Sequence, residues 1–99
     1  MPWMYILECA DGSYYVGSTV DLDKRMNEHI LGMGAKYTAR RLPVILVYGE
    51  EYSSIAEAYA REKQVQGWSR AKRQALIRGE FENLPALSKK IFRKETSTG

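Results

Sequence analysis

Arg25 and His29 stand four residues apart in a stretch that reads as a helix, which stacks them on one flank beside an apolar stripe. A cation next to a titratable ring can steady the charge of a pentavalent phosphate and protonate or orient a leaving oxygen. Taken alone, the pair reads more readily as an exposed helix face. Glu62 is the second anomaly. On a helix it shares the face of Ile55, Ala58 and Val65, the stripe that should meet the core. Its neighbours at helical spacing are Ala58, Tyr59, Val65 and Gln66, so no Lys or Arg on the same helix is expected to pair with it, whereas Glu57 has Arg61 four residues on. The residues leave two readings of Glu62 open. It is a partly buried partner of a distant base such as Arg25, or a carboxylate that holds a metal or moves a proton. His29 is the only histidine, which rules out a polyhistidine metal site.

Tyr5 and Tyr15 fall on two runs rich in aromatic and β-branched residues, where tyrosines ordinarily serve as core or cross-strand partners. Whether they share a face depends on the turn between them. A two-residue Asp11-Gly12 loop puts them on opposite faces, and a three-residue Ala10-Asp11-Gly12 loop sets Leu7 opposite Tyr15 and brings both tyrosines to one face. Gly12 suits the left-handed position that ends the longer loop, and that register is preferred.

The elements that must position these residues follow from pattern. Residues 3–8 and 14–17 form a β-hairpin. Residues 21–32 form a helix with Asp21 as N-cap, Leu22, Met26 and Ile30 as its apolar stripe, and Gly32 at its end. Residues 32–43 form a basic loop that leads into a continuously apolar, central third strand at 44–48. Ser54 and Glu57 make a capping box that starts a second helix running to Gln66 and ending at Gly67. A third, basic helix spans 69–78 and closes at Gly79. An apolar patch at 84–87 precedes a polar basic tail expected to fray. The order β-β-α-β-α-α predicts an α+β fold, a small three-stranded antiparallel sheet covered by helices. One domain over 1–87 with a tail over 88–99 is expected for 99 residues.

The 15 basic and 12 acidic residues leave a net charge of +3, compatible with a polyanionic partner but weak evidence for one. Distribution is more informative. Acids gather near Glu50, Glu51 and Glu57, and bases at 36–41, 70–78 and 89–94. Lys36, Arg40, Arg41, Arg70, Lys72 and Arg73 are the candidate nucleic-acid-binding residues. No apolar run reaches membrane-spanning length, and no basic stretch precedes the short apolar run at the start of the chain. Cys9, the only cysteine, lies in an apolar strand and reads as a buried, inert thiol. A cytoplasmic monomer that engages no membrane is the expectation.

Tyr5, the Tyr15-Val16-Gly17 triplet ten residues on, Arg25, His29 and the later helical Glu62 together resemble the GIY-YIG nuclease superfamily. The first triplet appears as Trp3-Met4-Tyr5 and keeps only its tyrosine, and the second is nearly intact. The segments 34–43 and 66–72 look like those of small stand-alone bacterial proteins that resemble the nuclease domain of the excision-repair C subunit. The resemblance implies an endonuclease that hydrolyses phosphodiester bonds in nucleic acid, with DNA the expected form, by a one-metal mechanism. Glu62 would hold Mg²⁺ or Mn²⁺, a tyrosine hydroxyl would activate or align water, and Arg25 would neutralise developing charge. A free phenol titrates near 10, so the tyrosine needs a nearby cation such as Arg25 to favour phenolate, with roughly that pKa as reference. Ser18 stands where some relatives carry a lysine after the second triplet, leaving Lys36 or His29 as substitutes, and a polar helical residue found downstream in other members has no clear counterpart. The rival expectation is a nucleic-acid-binding or adaptor module without turnover. A protein partner supplying specificity is compatible with either.

Overall fold

The computed structural model describes residues 1–80 and 88–94. In chain order the elements are β1 (Trp3–Glu8), β2 (Tyr14–Thr19), α1 (Leu22–Ile30), α2 (Lys36–Ala39), β3 (Ile45–Glu51), α3 (Ile55–Gln66), α4 (Arg70–Arg78) and β4 (Lys90–Arg93). The strands form one antiparallel sheet in the order β2-β1-β3-β4. The α+β class expected from the sequence is present, but with four strands instead of three. The additional strand comes from the basic tail. Its alternation is only four residues long, with Ile91 alone packing against the core, so charge masked the strand pattern. β4 is secured to β3 by main-chain bonds at both ends, Lys89 N–H to the Glu51 carbonyl at 2.8 Å and Lys94 N–H to that of Val47 at 3.2 Å. A second difference is α2, one turn of helix inside the segment read as a basic loop. The apolar patch at 84–87 lies outside the described residues.

The hairpin turn takes the longer of the two registers. Cys9 N–H bonds to the Ser13 carbonyl at 2.8 Å, closing a loop of residues 10–12, and Gly12 occupies the left-handed region at φ 84°. Leu7 therefore pairs with Tyr15 and Tyr5 with Gly17. Alternation then divides β1 between two cores. Met4 and Ile6 join Val16, Val47, Tyr48, Ala58, Val65 and Leu76 under α3 and α4. Tyr5 and Leu7 join Cys9 and Val44 on the other face, where Leu22 and Met26 of α1 cover them. β1 is buried on both faces, and β2 is an edge strand.

The helix ends match their side chains. Asp21, Ser54 and Ser69 each accept a main-chain N–H three residues on, and Gly79 ends α4 in the left-handed conformation. Two stripe assignments are corrected. Ile30 and Ile55, the last residue of α1 and the first of α3, are exposed, and on α1 the buried position is taken by His29. Among the described residues, no helix is long and apolar enough to cross a membrane.

β3 and α3 are joined by a buried ionic cluster. Glu50 is fully buried; its Oε1 accepts from the Tyr52 hydroxyl at 2.7 Å and Arg61 Nε at 3.0 Å, and its Oε2 from the Tyr48 hydroxyl at 2.6 Å. Burial and the neighbouring carboxylate push both phenols well above their ordinary range, so each stays a donor. Arg61 thus pairs with Glu50 and not with Glu57, which instead bonds back to Ser54. Removing one partner of such a pair strands the other charge, at a cost of about 3–5 kcal/mol. Arg61→Met should lower the unfolding free energy by about 3 kcal/mol. Urea melts of the two proteins check it, and a change near zero would show that Glu50 is adequately solvated without Arg61.

Candidate active site

The site forms at the β2 edge of the sheet, around a ring that needs unusual room. Tyr5 lies across Gly17 on the neighbouring strand, so close that a Cβ at Gly17 would sit 2.6 Å from both the ring Cζ and the hydroxyl oxygen. Any side chain at 17 would displace the phenol. From α1, His29 turns into the same face and is fully buried, with its Nε2 2.8 Å from the Tyr5 hydroxyl and its Nδ1 2.9 Å from the Thr38 hydroxyl of α2. Gly34 leaves room for that ring as well, since a Cβ there would come within 2.9 Å of the imidazole Cε1. Tyr15 completes the aromatic group, its ring centroid 6.4 Å from Tyr5, 5.4 Å from His29 and 6.2 Å from Tyr37.

Electrostatics at this cluster are governed by burial. Desolvation, with Arg25 nearby as a second cause, pushes His29 down to about 4, so the ring is neutral at physiological pH. Burial pushes Tyr5 up to about 12, although the Arg25 guanidinium beside it acts in the opposite direction. The expectation that Arg25 would favour phenolate is therefore corrected: the cation is in place, but desolvation outweighs it. Nor do Arg25 and His29 share an exposed flank. His29 is interior, while the Arg25 side chain is 31% exposed and pairs with Glu28 at 3.2 Å.

Glu62 approaches from α3, on the opposite side of the sheet. It is 9% exposed and hydrogen-bonded at both oxygens, its Oε1 accepting from the Ser18 hydroxyl at 2.7 Å and its Oε2 from Gln66 Nε2 at 2.8 Å, with Lys63 Nζ 3.5 Å away. The helix supplies a partner after all, a neutral amide four residues on, together with the adjacent lysine. Arg25 makes no ion pair with Glu62 among the described residues. The carboxylate is near enough to Tyr5 for its charge to help hold the phenol protonated. Gln66 also bonds the outward-facing Val16 carbonyl at 3.2 Å, tying α3 to the open edge of β2. Among the described residues no three or more His, Cys, Asp or Glu side chains are grouped so that they could together hold a metal ion. A single carboxylate nevertheless suits Mg²⁺, which keeps most of its waters and takes one or two carboxylates plus phosphate oxygens. Each Glu62 oxygen retains acceptor capacity beyond the donors present.

The candidate phosphate-binding residues divide. Lys36 starts α2 and Arg40 ends it. Arg41 lies 3.7 Å from the Tyr37 ring centroid and pairs with Asp11 at 3.1 Å. On α4, Arg70 covers Tyr14 at 4.5 Å, and Lys72 sits 4.2 Å from the Trp68 ring on the preceding turn. Arg73 is spent internally, donating to the Val65 carbonyl at 3.2 Å and the Gln66 carbonyl at 2.7 Å at the end of α3. It still lines an open cleft of about 250 Å³ with Tyr14, Tyr15, Val16, Tyr37 and Gln66, between the α2 and α4 bases. Thr38, Ser18, Gln66 and Tyr37 were not among the site residues expected from sequence. Ser18 alone carried a signal, standing immediately after the second triplet; the others depend on contacts across the sheet.

Comparisons with known proteins bear on the family. Residues 1–75 match the model of the GIY-YIG catalytic domain. A UPF0213 protein of Halobacterium salinarum is 46% identical over 78% of this chain and 100% of its own length. One from Streptococcus pneumoniae is 52% identical over 61% of each chain. The solution NMR structure of a UPF0213 protein from Bacillus halodurans is 43% identical, with a TM-score of 0.53 over 81% of this chain and 86% of that one. Sequence, fold and the Tyr5–Gly17 edge thus converge, and the chain belongs to the GIY-YIG catalytic domain family, a nuclease superfamily.

Proposed function

We propose that the protein is a metal-dependent endonuclease hydrolysing phosphodiester bonds in DNA, acting as a monomer, with any target specificity supplied by a protein partner. The observation that carries this reading is the meeting at the β2 edge of Tyr5, held by buried His29 and flanked by Arg25, with Glu62 arriving from the other face. Glu62 would hold Mg²⁺ or Mn²⁺, which when bound supplies Lewis acidity toward a phosphate oxygen. The protein's own groups do the rest. Arg25, partly exposed, meets charge that grows on the phosphate; Tyr5, protonated through the neutral range, aligns the attacking water by its oxygen; and Tyr15 walls the site. Lys36, Arg40, Arg41, Arg70 and Lys72 flank the cleft and grip the backbone, while Arg73 shapes it.

The test is cleavage of branched, nicked and single-stranded DNA by purified protein with and without divalent metal. Binding without turnover would assign an adaptor instead. Within that assay, Arg25→Ala should reduce cleavage by about 10²–10³ while leaving binding within a few-fold, because its charge acts on the transition state. Proportional losses of both would make Arg25 a phosphate anchor.

Glu62→Gln offers a complementary check. The Ser18 hydroxyl can rotate to accept from an amide, so stability in metal-free buffer should stay within about 1 kcal/mol of wild type. Cleavage should disappear, and millimolar Mg²⁺ should raise Tm only in the wild type, through binding to the native state. Equal stabilisation of both proteins would place the ion elsewhere.

The buried imidazole also sets a pH dependence. Its folded value of about 4 lies below the ordinary 6.5, so between these values the unfolded chain binds the extra proton. Stability from neutral His29 is complete above pH 6.5 and falls as pH drops toward 4, by about 3 kcal/mol in all. Urea unfolding at pH 7 and pH 4.5 should show that loss in the wild type and a much smaller one in His29→Gln. Parallel losses would remove His29 as the source.

A further inference from the structure

The Thr38 hydroxyl makes two contacts and has one proton to give. Its oxygen is 2.9 Å from the Ala35 carbonyl and 2.9 Å from His29 Nδ1. A carbonyl only accepts, so the proton must point to Ala35; directing it to His29 would leave two oxygens facing each other at hydrogen-bond distance with no hydrogen between them. The Thr38 oxygen must then accept from His29, and Nδ1 carries the hydrogen. In a neutral ring that leaves Nε2 as a lone pair, and its partner at 2.8 Å, the Tyr5 hydroxyl, must donate.

We infer that Thr38 is a positioning residue that selects the tautomer of His29 and thereby turns the Tyr5 proton inward, leaving the phenolic oxygen's remaining lone pairs for Arg25 and for an incoming water. One direction of donation runs from Tyr5 through His29 and Thr38 to the Ala35 main chain, and the two side chains at its middle, His29 and Thr38, are fully buried. With the other tautomer, Nε2–H would occupy the Tyr5 oxygen and the phenolic hydrogen would face the substrate side, where it would donate to a water oxygen instead of accepting from it. The catalytic consequence rests on the nuclease reading; the tautomer does not. Gly34 belongs to the same device, since the room it leaves beside Nδ1 is what lets the imidazole reach Thr38.

The test is long-range ¹⁵N–¹H correlation spectroscopy of the only histidine ring, in wild type, Thr38→Val and Thr38→Ser. The wild type should show a protonated Nδ1 and a bare Nε2, and Thr38→Ser should match it. Thr38→Val keeps the shape but offers Nδ1 no acceptor, and because buried orphan donors are tolerated less than orphan acceptors, the ring should shift to the Nε2–H form. Cleavage by Thr38→Val should fall about tenfold or more with DNA binding unchanged, and Thr38→Ser should recover most of it. A wild-type ring protonated at Nε2 would overturn the assignment outright, whether or not the valine variant folds. An unchanged Nδ1–H spectrum in folded Thr38→Val would overturn the role of Thr38. Absence of cleavage in every protein, with the tautomers as stated, would count against the nuclease reading and leave this one standing.

Discussion

The arrangement depends on a close approach between a ring and a backbone. Tyr5 can lie on β2 only because Gly17 has no side chain, and with the phenol in that place its hydroxyl reaches His29 and its edge meets Tyr15. Everything around the contact serves to keep it. The three-residue turn fixes the register that puts Tyr5 opposite Gly17, α1 brings in the imidazole, and Gly34 clears the space the imidazole needs. The energetics agree with this ordering. Burying a phenol and an imidazole in neutral, hydrogen-bonded form is tolerable, and their titration ranges move apart as a result, one upward and one downward.

The candidate functional groups gather where the sheet is open. Across the sheet, β3 is covered by β4 and tied to α3 through Glu50 and Arg61, so rigidity is concentrated away from the site. At the β2 edge the main chain is held by a side chain instead of by another strand, Gln66 bonding the Val16 carbonyl and Glu62 together. That amide links the carboxylate to the main chain of β2, alongside the direct hydrogen bond from the Ser18 hydroxyl to Glu62. An edge held in this way stays accessible to a polymer, which a paired strand would block.

Much of the frame was legible because local rules and the global fold agree. Asp21, Ser54, Ser69 and Gly79 mark helix ends, Gly12 selects the turn, and the spacing of Tyr5, the second triplet, Arg25, His29 and Glu62 identifies the family before any coordinates. What was not legible has a common cause. β4 is four residues of mostly charged sequence whose strand character comes from pairing with β3, not from its own pattern. His29 looked exposed because a histidine beside a stripe carries no sign of which way the sheet will take it. Ser18 lies 44 residues from Glu62, and Glu50 lies 11 from Arg61, both beyond any helical spacing rule, whereas the Gln66 amide four residues from Glu62 was within reach of one. Tyr5 was read through its charged neighbour, whereas the dominant influence is the absence of water.

β1 serves two masters, with Met4 and Ile6 supplying one core while Tyr5 and Leu7 supply the other. From Trp3 to Leu7 its side chains are all apolar or aromatic, so a chain paired one residue out of step would still bury a comparable surface and remain compact. It would, however, carry the Tyr5 phenol to the wrong side of the sheet and present a methionine or isoleucine to His29. Hydrophobicity therefore cannot proofread this strand; the turn geometry at Gly12 and the steric gap at Gly17 do. Fidelity of folding and competence of the site are in this sense the same property, and an ensemble containing misregistered molecules would be a mixture of whole and null copies, not a population of uniformly weakened ones.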